Sequence, residues 1–166
     1  MNDAELLWKM YEDNRVQAQL HEDRRASATA LIAGGAGALV TAIVSEGIAK
    51  DDAPLAAMVI IMGIFGWLIA VKATERMRLH NSRCYMFLDE LDRLDREVDI
   101  VALKQACDQK HRRKHWITHR FALSWLWQSL HVLIAAAGVV FLLRADPFFF
   151  TTTFEGVREA VARLQG

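Results

Sequence analysis

Cysteine and proline are scarce in this chain, with two of each in 166 residues. Cys84 and Cys107 both fall in a stretch expected to be cytoplasmic, where thiols stay reduced, so no structural disulfide is expected. Pro54 and Pro147 stand at the ends of apolar runs rather than inside them. No Gly/Ser-rich or Pro-rich linker and no internal repeat divides the chain, which predicts one compact unit. Also missing are a nucleophile elbow, a phosphate-binding glycine loop, zinc-finger spacing and a carboxylate pair in an apolar setting. The chain is therefore not expected to be an enzyme, and no catalytic residue, metal or cofactor is assigned.

Charge is absent where it matters most. No Asp, Glu, Lys or Arg occurs between Arg25 and Glu46, between Asp52 and Lys72, or between Arg120 and Arg144. Each gap is about 20 residues, which as helix covers the hydrocarbon thickness of a bilayer. The overall apolar content of 53% exceeds that of an ordinary soluble domain. These features predict an all-α integral membrane protein with three transmembrane helices at 26–49, 55–71 and 121–143. A short external turn would occupy 50–54 and a cytoplasmic helical hairpin 72–120. The remainder would be an N-terminal cytoplasmic helix over 1–25 and an external amphipathic, aromatic tail over 144–166. A cleaved signal peptide does not fit, because the first apolar run begins behind a long charged stretch.

Orientation follows from Lys and Arg, of which 1–25 holds four, 46–54 one, 72–120 twelve and the tail after Leu143 three. Positive charge stays inside, so the N-terminus and the 72–120 segment should be cytoplasmic, in an inner (plasma) membrane. Zero net charge conceals this asymmetry.

The polar segments read as helix. Cys84, Leu91 and Val98 recur every seven residues, with Phe87, Leu94 and Val101 three positions after them, a short heptad-like seam on a continuation of the second span. Packing of this seam against the chain's own N-terminal helix is weighted above an intersubunit coiled coil. That N-terminal helix places Leu7, Met10, Asn14, Ala18 and His21 on one face, a weak stripe that needs a partner surface. A further helix after Asp99 is expected to lead back and to continue into the third span.

Several features carry candidate chemistry. The basic stretch KHRRKHWITHR, with Arg112, Arg113, Lys114 and Arg120, suits anionic headgroups or a partner protein. His111, His115 and His119 share a helix face, but a metal would need further ligands from another helix, and exposed imidazoles are the plainer reading. The pairs Arg15/His21 and Arg112 or Arg113/His119 match the loose spacing of HEPN-type ribonucleases, a pattern expected about once or twice by chance among fourteen arginines and six histidines. Gln128, Ser129 and His131 interrupt the third apolar run, where polar groups bond to other helices or line a water path. Ala30, Gly34 and Ala38 share a face at small-xxx-small spacing, and Gly63 and Gly66 offer similar close packing.

The stretches YEDNRVQAQLHEDRRASATALI, entering the first span, and ATERMRLHNSRCYMFLDELDRL, leaving the second, make residues 5–105 similar to another layout. It resembles the small SLATT-type bacterial membrane proteins (SMODS/SLOG-associated), and more loosely the membrane effectors of cyclic-pyrimidine (Pycsar) anti-phage systems. The resemblance implies a pore-forming or membrane-disrupting effector triggered by a nucleotide; the third span and aromatic tail depart from the two-span plan. The expected function is thus a homo-oligomeric, channel-like or membrane-perturbing protein, triggered through 72–120 by a cytosolic protein or a cyclic nucleotide. A non-conducting anchor for a cytosolic partner is the alternative, and a membrane-tethered ribonuclease an outsider. The bilayer is the one partner read directly from composition; no specific nucleic acid is expected.

Overall fold

A computed structural model of the chain describes residues 2–94, 99–115, 122–149 and 161–163. Four long helices follow in order: α1 (Asp3–Ser45), α2 (Ala53–Leu94), α3 (Ile100–Lys114) and α4 (Leu123–Ala145). No strand occurs among the described residues. Three of the helices, α1, α2 and α4, are long and apolar enough to cross a membrane, which fits a multi-pass membrane protein.

The expected N-terminal helix and first span are one helix. Asn2 opens it: its side-chain oxygen accepts from the Glu5 amide at 2.8 Å, and the Glu5 carboxylate accepts from the Asn2 amide at 3.1 Å. This reciprocal cap satisfies two otherwise orphaned donors. Gly34, Gly35 and Gly37 would weaken a helix in water, yet α1 runs through them unbroken. In hydrocarbon an open backbone N–H or C=O has no alternative partner, so helix is retained. α1 stops at Ser45, and residues 46–49, expected inside the first span, belong to the turn instead. Gly47 takes φ +89, in the left-handed region that glycine enters without strain. A 3-10 turn (Lys50–Asp52) follows, the Asp52 carboxylate accepting from the Ala49 amide at 2.8 Å. Pro54 then sits in the first turn of α2, where its missing N–H costs nothing.

The 72–94 continuation of the second apolar run is helical to Leu94, as expected. α3 is capped by Asp99, whose carboxylate accepts from Ala102 N at 2.6 Å, and its last turn carries His111, Arg112, Arg113 and Lys114 on the negative end of the helix dipole. α3 ends at His115 (φ −122, ψ 42) rather than continuing into the third apolar run.

The described chain divides into two compact units. The apolar unit holds residues 29–67 and the chain from Ser129 onward; its core is Ile43, Ala53, Ala56, Val59 and Leu142. Small residues let its helices approach closely. A Cβ on Gly63 would lie 2.5 Å from the Ala135 backbone nitrogen, and one on Gly138 2.8 Å from the Ile60 backbone nitrogen. Outward side chains such as Leu31, Ile61 and Leu133 are exposed, as helices solvated by lipid require. The polar unit holds residues up to Ala28 and 68–128: the first part of α1, the last part of α2, α3 and the first turn and a half of α4.

Replacing Gly63 by Ala should destabilise the protein by about 1–3 kcal/mol, because backbone rather than a yielding side chain stands in the way. Gly34→Ala, with nothing within 4 Å of the added Cβ, should be neutral or stabilising by up to about 1 kcal/mol. Thermal melts of the two variants in detergent test this; equal losses would contradict the packing described.

Candidate functional site

Among the described residues, buried polar groups gather in two places, one in each unit. In the apolar unit His131 on α4 is 1% exposed, and its Nε2 lies 3.1 Å from Thr29 Oγ1 on α1, a side-chain hydrogen bond between helices. The ring presses against Gly66 of α2, where a Cβ would collide with it. Nδ1 has no partner. Three helices thus enclose the imidazole, and the hydrogen bond is of the kind that contributes roughly 0.6–1.7 kcal/mol in a membrane.

In the polar unit Arg25 is 2% exposed. Its guanidinium donates to Thr74 Oγ1 at 3.2 Å and to Glu22 Oε1 at 3.3 Å, and its Cζ lies 5.5 Å from the Trp127 ring centroid. Thr74 in turn donates to the Ala70 carbonyl at 2.7 Å. Arg25 Nε and Trp127 Nε1 are buried without acceptors among the described residues. An enclosed cation is costly unless paired and hydrogen-bonded; here a half-exposed carboxylate, a hydroxyl and an aromatic face share that task.

α1 and α2 also meet along the N-terminal stripe. Ala18 is buried, Asn14 Oδ1 lies 2.9 Å from His80 Nδ1, and the His21 and His80 rings stack at 5.5 Å. Buried Cys84, on the heptad seam, donates to the Tyr11 carbonyl at 3.7 Å, so at this position the seam packs within the chain. Burial pushes the Cys84 thiol up from its ordinary value, against the pull of Arg15, and keeps it a thiol. Lost hydration first, then the positive fields of His21, Arg83 and Arg76, hold His80 below its ordinary 6.5.

The other residues singled out in the sequence are dispersed. Gln128 and Ser129 are half-buried at the start of α4. Gly63 and Gly66 are buried, whereas Ala30, Gly34 and Ala38 are exposed on the chain's own surface. Arg112, Arg113 and Lys114 are exposed on the last turn of α3; Arg120 and His119 lie outside the described residues, as does Val98. His111 and His115 stand with ring centroids 4.7 Å apart, and no cluster of three metal-ligating side chains occurs among the described residues. Sequence reasoning missed Arg25, Thr29 and Thr74. Arg25 reads as the charge that ends an apolar run, and threonines near a span carry no distinguishing pattern.

Because His80 is held below 6.5 in the folded chain, the unfolded chain takes up its proton first as pH falls, and stability present above 6.5 is lost below it. Melting temperature should therefore drop between about pH 7.5 and pH 5.5, and His80→Gln should reduce that drop. An unchanged pH dependence in the variant would assign the effect elsewhere. Compared with protein-family models, with curated proteins and with solved structures, the chain finds no match in any of the three.

Proposed function

We propose that this chain is a small membrane-embedded effector, channel-like or membrane-perturbing, whose polar helical unit receives a ligand or protein signal. The observation that carries the reading is the continuity of α1 and α2, 43 and 42 residues without a break, each contributing residues to both units. Neither helix is interrupted by a loop within its length. The N-terminus and the basic 72–120 segment lie in the cytoplasm in this reading, with the exposed cations Arg112, Arg113 and Lys114 against anionic headgroups of an inner membrane. The effector works as a homo-oligomer, with anti-phage defence as its setting by resemblance, and the exposed small-residue face of Ala30, Gly34 and Ala38 is available for contact between copies.

One observation favours the alternative of a non-conducting anchor for a cytosolic partner. The imidazole of His131 is enclosed by helices of its own chain rather than presented outward, which leaves less polar surface with which several copies would line a water path.

The two readings separate in one experiment: the mass of the purified protein in detergent, paired with dye release from liposomes carrying it. The effector reading expects a closed oligomer that releases dye, and His131→Leu or Gln128→Leu altering the release while the oligomer persists. A monomer or dimer that leaves liposomes sealed would transfer the assignment to the anchor.

A further inference from the structure

In the polar unit two grooves flank Arg15 and Asn81, which line both. Their chemistry differs. One, of about 270 Å³, is bordered by the carboxylates of Glu22 and Asp23. The other, of about 310 Å³, has no carboxylate in its lining; Arg15, Lys104, Asn81, Tyr11 and Tyr85 contribute to its wall. That volume is at the lower end for small-molecule sites.

Two of the groups in the second groove, Arg15 and Asn81, have side chains without a partner among the described residues, and a third, Lys104, is only lightly held. Arg15 makes no ion pair among the described residues. Lys104 Nζ is held 3.9 Å from the Tyr85 ring centroid, and its carboxylate partner is Asp108, at 3.3 Å on the exposed face of the same helix. Such a one-turn surface pair yields readily to a better-placed anion. Asn81 is half-buried and its side chain has no hydrogen bond among the described residues, leaving the amide's donor and acceptor free. Tyr11 is braced by stacking on Trp8, with ring centroids 5.3 Å apart. Cys84 brings no negative charge, since burial keeps it protonated.

We infer that this groove binds a small planar organic anion, an aromatic ring bearing a carboxylate or a phosphate. Arg15 and Lys104 hold the anionic group, since a guanidinium fork and an ammonium together match either oxyanion. The tyrosine rings bound the planar part, and Asn81 reads a polar edge. The site names a receptor for the ligand-triggered reading proposed above, and it rests on that reading only for the consequence of binding in the membrane.

The test is a ligand-observed NMR titration of the full chain in detergent with four probes: phenyl phosphate, benzoate, inorganic phosphate and benzamide. Phenyl phosphate or benzoate should bind at least about tenfold more tightly than both inorganic phosphate and benzamide, because ring and charge are both used. Whichever of the two binds better identifies the phosphate or the carboxylate class. Arg15→Gln and Lys104→Gln should each weaken that probe about tenfold, with helix content by circular dichroism unchanged, while Arg78→Gln on exposed α2 surface leaves binding intact. Absence of saturable binding, equal affinity for inorganic phosphate, or insensitivity to Arg15→Gln would each overturn the site. The titration involves no vesicles, so Arg15-dependent binding with sealed liposomes removes the conducting function alone, and leaky liposomes without binding remove this site alone.

Discussion

A polar side chain inside an apolar stretch has no water to bond when its protein partner is lost, and His131 works under that constraint. Its ring has to reach an acceptor or donor on another helix, and Thr29 Oγ1 supplies one at 3.1 Å. The ring also needs space, which Gly66 provides by having no side chain. Gly63 against Ala135 and Gly138 against Ile60 continue the same close approach of α2 and α4. The register of three helices in the apolar unit thus follows from one imidazole and three glycines, while the branched and aromatic residues between them face outward or fill the small core around Val59 and Leu142. Hydrophobicity alone does not select this arrangement, because in lipid an outward Leu is as well solvated as an inward one.

The polar unit is held by other means. Its α1–α2 seam is a line of hydrogen bonds and ring contacts, Cys84 to Tyr11, Asn14 to His80 and His21 on His80, with few large buried apolar side chains. Arg25 anchors the same pair of helices through Thr74. Packing of this type is adjustable: exchanging a hydrogen-bond partner or a proton changes its strength without opening a dry core. α3 is attached more lightly, by the Asp92 carboxylate accepting from Ile100 N at 2.6 Å and by Lys104 over Tyr85, and none of its residues is buried. A region with many exposed polar contacts and little burial belongs to the low-stability end of a protein, where binding-linked movement is drawn from.

α1 and α2 run without a joint between Asp3 and Ser45 and between Ala53 and Leu94. The capped start at Asn2, the left-handed Gly47 and the Asp52 turn confine the irregular backbone to the helix ends. The enclosed His131 and the uncommitted Arg15 represent opposite uses of a polar group, the first spent on packing and the second available.

Composition determined the class of this protein without help from tertiary structure. Three uncharged gaps of bilayer length and the near absence of proline within them specify long apolar helices, because hydrocarbon leaves the backbone no other way to satisfy its hydrogen bonds. The stripe of Ala18, Asn14 and His21 and the continuation of α2 to Leu94 were likewise readable, since helical periodicity is a local property. Helix ends were less so: residues 46–49 carry one charge, Glu46, at the end of a long apolar run and periodicity does not mark a stop, yet Gly47 and the Asp52 cap turn the chain there, and α3 stops at His115 although its sequence would permit continuation. Tertiary structure alone decided which small and polar residues meet. Gly63 and Gly66 are covered while Ala30, Gly34 and Ala38 are not, although the spacings look alike, and Thr29 finds a partner 102 positions away. Periodicity tells which residues share a face of one helix; only the packing of several helices determines what that face touches.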